Sequence, residues 1–236
     1  METKRKFFIG IDLGGKTKKT TGLCILEETE EGLRFFHSQC RYCGDLKYVE
    51  VLKTIKPFLA ETCVIAADGP LTKGKGKGLM RLYEKFLSTR PFREEKISPL
   101  PPILMPEVSA VGQNFAEKLK KSGFVLDKNL IETFTTFVKK ICPDDFVFQF
   151  LKEQNFQPDF VIPCQVSSHQ QSALVCAVVA YLHPQFKTRY LGYRDGFLTL
   201  PEINLWKPEW REKFYQIWMK RDRLRYHHLT TNIFSK

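Results

Sequence analysis

No apolar run in this chain approaches the roughly 18 residues that argue for a membrane span. The longest, Ala173 to Leu182, holds ten residues, so no membrane association is expected. Residues 1 to 15 carry Lys4, Arg5 and Lys6, but the apolar stretch after them is interrupted by Gly10 and stopped by Asp12. That pattern lacks the h-region and cleavage site of a secretory signal, and a cytoplasmic location is the expectation. A disulfide framework is missing as well: the seven cysteines are odd in number and scattered, and reduced, mostly buried thiols fit them better. Cys40 and Cys43 form a lone CxxC pair without a second pair or suitably spaced His, which is too few ligands for a structural zinc. There is no internal repeat.

Acid is in deficit. Twenty-six Asp and Glu stand against thirty-seven Lys and Arg, giving a formal charge of +11 and a pI near 9.3. Such a balance attracts polyanions, and nucleic acid is the expected partner class. With 43% hydrophobic and 13% aromatic residues among 236, the chain can bury a full core as one domain with additions.

Residues 6–13, 20–27 and 33–39 read as three strands joined by short turns, hence an antiparallel meander. Leu46, Val49, Leu52, Ile55 and Leu59 recur at helical spacing and predict a helix over 45–60, with Asp45 near its N-cap. A strand at 64–67 follows. A right-handed crossover would set it beside the first strand. Both strands end in a carboxylate, Asp12 and Asp68, so the two acids would be neighbours, and paired acids at strand ends suggest a metal site.

After Asp68, the alternating Lys73, Gly74, Lys75, Gly76, Lys77 and Gly78 predict a flexible cationic loop where a phosphate would approach. A helix is expected at 79–87, a proline-rich linker without regular structure at 91–106, and a helix at 109–121. Residues 130–134 predict a short strand carrying Glu132. Ser167 or Ser168 with Gln170 or Gln171 makes a capping box for a helix running to His183, with His169 and Ser172 on one face of its first turn. Asp195-Gly196 marks a hairpin between strands at 188–193 and 197–200. Trp206, Trp210, Phe214, Ile217, Trp218 and Leu224 predict an amphipathic C-terminal helix whose end, Lys220 to Arg225, is basic and suited either to solvent or to a polyanion.

The sequence IGIDLGG, the strand-terminal AADGPL, GLMRLYEKFL with Arg81 and Glu84, the IETF segment, and HQQSALVCAVVAYLH before GYRDGFLTLP together resemble the predicted-nuclease family of RNase H-like fold catalogued as domain of unknown function 429. The likeness spans most of residues 6–201 and implies an α/β, RNase H-like mixed sheet, three antiparallel strands plus parallel ones, flanked by helices. Residues 202–236 then form a basic amphipathic extension packed on that domain. The resemblance implies a divalent-metal-dependent nuclease: Asp12, Asp68 and Glu132 as metal-binding and catalytic acids for Mg2+ or Mn2+, and His169 as a further catalytic candidate. Lys73, Lys75, Lys77 and Arg81 are the residues expected to meet the nucleic-acid backbone. Several carboxylates are needed because two cations about 4 Å apart must be held while they acidify the attacking water and stabilise the leaving oxygen. The family pattern has Asp where this chain has Ser172, so weak metal binding and impaired cleavage are expected, with Ser172→Asp tightening the site.

Two other readings remain open. A non-catalytic nucleic-acid-binding or scaffold protein is favoured by Ser172 and the basic charge. Phosphoryl transfer of the actin and hexokinase type is suggested by IDLGG before Thr21-Gly22, although a single core and no second DxG hairpin fit within this length.

Overall fold

A computed structural model describes residues 5–36, 45–75, 77–155 and 167–235; Cys40 and Cys43 lie outside them. The elements in chain order are β1 (Lys6–Asp12), β2 (Thr21–Thr29), β3 (Gly32–Phe35), β4 (Asp45–Leu46), α1 (Tyr48–Ile55), β5 (Thr62–Asp68), α2 (Leu82–Leu87), α3 (Arg90–Glu94), α4 (Pro106–Lys120), β6 (Leu130–Thr133), α5 (Thr135–Ile141), α6 (Phe146–Glu153), α7 (Ser168–Leu182), β7 (Thr188–Tyr193), β8 (Gly196–Pro201), α8 (Pro208–Met219) and β9 (Thr230–Thr231). They make an α/β architecture around one mixed sheet in the order β3-β2-β1-β5-β6-β8-β7-β9, with β4 on β2. The β1/β5, β5/β6 and β6/β8 pairs are parallel and the others antiparallel. Among the described residues, no helix is long and apolar enough to cross a membrane.

Side chains alternate between the two faces of the sheet, and each face has its own core. Phe8, Cys24, Leu26, Val64, Ala66 and Ile131 pack with α7. Phe7, Ile9, Ile11, Leu23, Ile25, Ile65, Ala67 and Leu130 pack with residues of α1 and α4. Helix α7 is buried from Ser172 to Leu182, as a helix apolar on all sides must be. It begins on the predicted box: Ser167 Oγ accepts from the Gln170 amide and Gln170 Oε1 from the Ser167 amide, both at 3.1 Å. Its backbone lies so close to the sheet that a Cβ at Gly10 would overlap the Ala173 carbonyl and the Ala177 nitrogen.

Several boundaries differ from expectation. Asp45 does not cap α1; it pairs with Gly22 in β4. The cap falls two residues later, at Lys47, whose amide donates to Glu50 Oε2 at 2.7 Å, and the helix tightens into a 3-10 turn at Lys56–Glu61 around Pro57. The proline-rich segment is not irregular throughout: Pro91 and Pro102 sit in the first positions of α3 and of a 3-10 turn, where a missing N–H costs nothing. The loop after Asp68 is anchored rather than free, since Gly74 is buried and its amide donates to the Leu79 carbonyl at 2.8 Å. The last helix ends at Met219, before the basic cluster, and Leu224 is exposed. The C-terminal segment is built into the main core: Trp206, Trp210 and Phe214 join the α7 cluster, and β9 pairs with β7.

Candidate functional site

Asp12 and Asp68 are direct register partners at the C-terminal ends of adjacent parallel strands, on the face covered by α7. The carboxyl ends of parallel strands are where open α/β sheets place ligands. The first turn of α7 sits over this point. His169 Nδ1 lies 2.8 Å from Asp12 Oδ2, and a Cβ at Gly22, the register partner of Asp12, would overlap the His169 carbonyl. The capping residue Ser167 donates to Asp45 Oδ1 at 2.6 Å, so β4 fixes the start of the helix against the sheet. From the other side, the Thr135 amide donates to Asp68 Oδ2 at 3.1 Å and its hydroxyl donates to the same oxygen. Thr135 Oγ1 is 3.2 Å from Ser172 Oγ, which accepts from Lys139 Nζ at 3.0 Å.

Burial dominates the electrostatics. Asp68 is pushed up to about 7 by loss of solvent and by the Asp12 charge beside it, against which the Thr135 hydrogen bonds pull down. Asp12 is also raised by burial, while His169 and the more distant charges of Lys139 hold it lower. An imidazole oriented by a carboxylate, beside a carboxyl that gains its proton near neutrality, is an arrangement capable of general acid–base chemistry. Because the folded pKa of Asp68 lies above its unfolded value, the native state binds the extra proton. Its contribution to stability is full below about pH 4 and is lost as pH rises through about 7. We expect Asp68→Asn to flatten the fall in stability between pH 4 and 7 and to be more stable than the unmodified chain at pH 8. Urea unfolding of both proteins across that range checks this; parallel pH curves would refute it.

Glu132 does not join the two aspartates. The β5/β6 register sets it opposite Ala67, and Thr133 opposite Asp68, so it is one position out of step with the aspartates; its charge reaches Asp68, but its oxygens are committed to other partners. Glu132 accepts from Arg81 Nη1, from the Tyr83 hydroxyl and, at 2.9 Å, from the Leu71 amide. Arg81 is equally committed. It is 1% exposed, and its other Nη meets Glu84 Oε1 at 2.5 Å, so it is not placed to meet a nucleic-acid backbone. Burial and the two carboxylates explain both departures: a buried guanidinium must be paired.

Lys73 and Lys75 are exposed on the loop after β5, whereas the side chain of Lys77 lies outside the described residues. Sequence reasoning missed Lys16, Lys18 and Lys19, exposed on the loop after β1, and it missed Thr135, Lys139 and Asp45. The i, i+4 spacing of Thr135 and Lys139 at the start of the segment that follows the strand at 130–133 was the available signal. At the C-terminal cluster, Arg221 stacks at 3.8 Å over the Trp218 ring and donates to its carbonyl, leaving Lys220, Arg223 and Arg225 more open to solvent.

Two hard carboxylates, each with its Oδ1 outside the hydrogen bonds described above, and one imidazole are the donors that converge. Among the described residues no group of three or more His, Cys, Asp or Glu is arranged to hold a metal ion. A two-metal centre therefore does not fit this set. No family model, no curated protein and no solved structure matches the chain.

Proposed function

We propose that this chain is an RNase H-like protein that acts on nucleic acid, with a phosphodiester-cleaving centre reduced to Asp12, Asp68 and His169. The observation that carries the reading is the register pairing of Asp12 with Asp68 at strand ends from which lysine-bearing loops depart. Lys16, Lys18 and Lys19 on one loop and Lys73 and Lys75 on the other supply the cationic rim that a phosphate backbone requires. Asp12 orients His169 toward a water, and Asp68 holds a proton near neutrality. Magnesium or manganese at the pair is expected to bind weakly, because Ser172 and a Glu132 engaged by Arg81, Tyr83 and Leu71 withhold the ligands that a hard cation demands.

Binding should be governed by backbone charge, with affinity for labelled single- or double-stranded oligonucleotides falling steeply with salt and little affected by base sequence. Fluorescence titration at several salt concentrations tests this, and flat affinity would remove nucleic acid as the partner. Cleavage, assayed on the same oligonucleotides with Mn2+, should be slow and abolished by Asp12→Asn. The second reading, binding without catalysis, is favoured by the ammonium of Lys139 at the edge of the site. It is the conclusion if Asp12→Asn binds like the unmodified chain and neither protein cleaves.

A further inference from the structure

Thr135 and Lys139 lie four residues apart on α5 and share one side of it. Each hydroxyl in the line from Lys139 to Asp68 has one proton to donate, which gives the line a single satisfied direction. The Lys139 ammonium donates to Ser172 at 3.0 Å, Thr135 donates to the Asp68 carboxylate, and the two hydroxyls lie 3.2 Å apart; with the one proton of Thr135 committed to Asp68, Ser172 is left to donate across that gap. Bonds aligned in this way polarise one another. The line begins on a cation and ends on a buried acid whose neighbour is a second acid.

We infer that Lys139 is the resident counter-ion of the Asp12–Asp68 pair, standing through Ser172 and Thr135 in the electrostatic place of a divalent cation. This rests on the reading that the pair is the functional centre. Serine at 172 is what permits it. Its hydroxyl accepts from the lysine and passes a proton on, whereas an aspartate there would meet the ammonium directly as an ion pair. Two consequences follow for added metal: Lys139 repels it, and Lys139 would claim a carboxylate introduced at 172. Ser172→Asp alone therefore does little.

The test is manganese calorimetry on the full chain in four forms: unmodified, Lys139→Met, Ser172→Asp and the double variant. With one positive charge removed three hydrogen bonds from the acid pair, Lys139→Met should bind on the order of tenfold tighter than the unmodified chain. The double variant should exceed the product of the two single effects, a coupling that independent sites do not show. Lys139→Gln keeps a donor to Ser172 without the charge. It should gain affinity as Lys139→Met does, which separates charge from packing should Met disturb the fold. Equal manganese affinity in the unmodified and Lys139→Gln chains overturns the assignment, as does additivity in the cycle. Adding Asp12→Asn to Lys139→Met should abolish the gain. If tight binding survives it, the cation sits elsewhere and the reading of the acid pair fails with it; if the gain never appears while Asp12→Asn still weakens basal binding, only the role of Lys139 falls.

Discussion

Glu132→Ala is expected to destabilise the chain by about 3–5 kcal/mol, the usual consequence of leaving a buried charge without its partner. Glu132 and Arg81 are 5% and 1% exposed. Removal of the carboxylate leaves the Arg81 guanidinium with Glu84 as its remaining carboxylate partner and strips an acceptor from the Tyr83 hydroxyl and the Leu71 amide. The network also ties distant segments together. Thr72, which accepts from Arg81 at 3.3 Å, donates to the Asp195 carbonyl, and the Leu82 amide donates to the Asp195 carboxylate, both at 2.9 Å. The loop after β5, the start of α2 and the β7–β8 hairpin thus share one buried ion cluster. Glu132→Gln keeps one oxygen to accept from Arg81 and the Leu71 amide, while its NH2 takes the place of the acceptor of the Tyr83 hydroxyl, so it should cost less than Glu132→Ala. The contrast separates a structural acid from a metal ligand, because a ligand's removal would change manganese binding with little effect on unfolding. Urea denaturation of the two variants decides it, and a loss below about 1 kcal/mol for Glu132→Ala would mean that the cluster relaxes to admit water.

What the sequence made legible was local. The two strand-end aspartates followed from apolar runs stopped by acids and from the handedness of the crossover. The α7 capping box and the Asp195-Gly196 hairpin followed from turn and cap chemistry that needs only a few adjacent residues. Glu132 was legible as an inward acid on a short strand, but not its commitment to Arg81, Tyr83 and Leu71, which are 49 to 61 positions away. Arg81 reads as a free cation in a basic stretch; its burial depends on acids 3 and 51 positions away. Asp45 has a residue type suited to a helix cap, yet pairing with Gly22 in the sheet took precedence over that local preference. The relation of Lys139 to Ser172 is likewise tertiary, spanning 33 positions.

The approach of α7 to the sheet supports the other large expected effect, at Gly10. This residue lies in the middle of β1, paired with Cys24 on one side and Ala66 on the other, so the strand is held by ladders on both edges. A methyl group there would run into the backbone of α7 at Ala173 and Ala177, and backbone cannot step aside by changing rotamer. Gly10→Ala therefore has to lift the helix from the sheet, and overpacking of this kind costs about 1–3 kcal/mol or more. The displacement should reach the site, because His169 begins the same helix and meets Asp12 two residues beyond Gly10. Gly123→Ala is the contrast: a Cβ there meets nothing within 4 Å, and only its φ of +88° resists substitution, so it should cost about 1–2 kcal/mol without altering His169. Chemical denaturation gives the stabilities, and the NMR chemical shifts of the His169 ring report its contact with Asp12. If Gly10→Ala matches the unmodified chain in unfolding midpoint and leaves the His169 ring shifts unchanged, then α7 does not lie against the sheet as closely as described, and the pairing of His169 with Asp12 loses its structural basis.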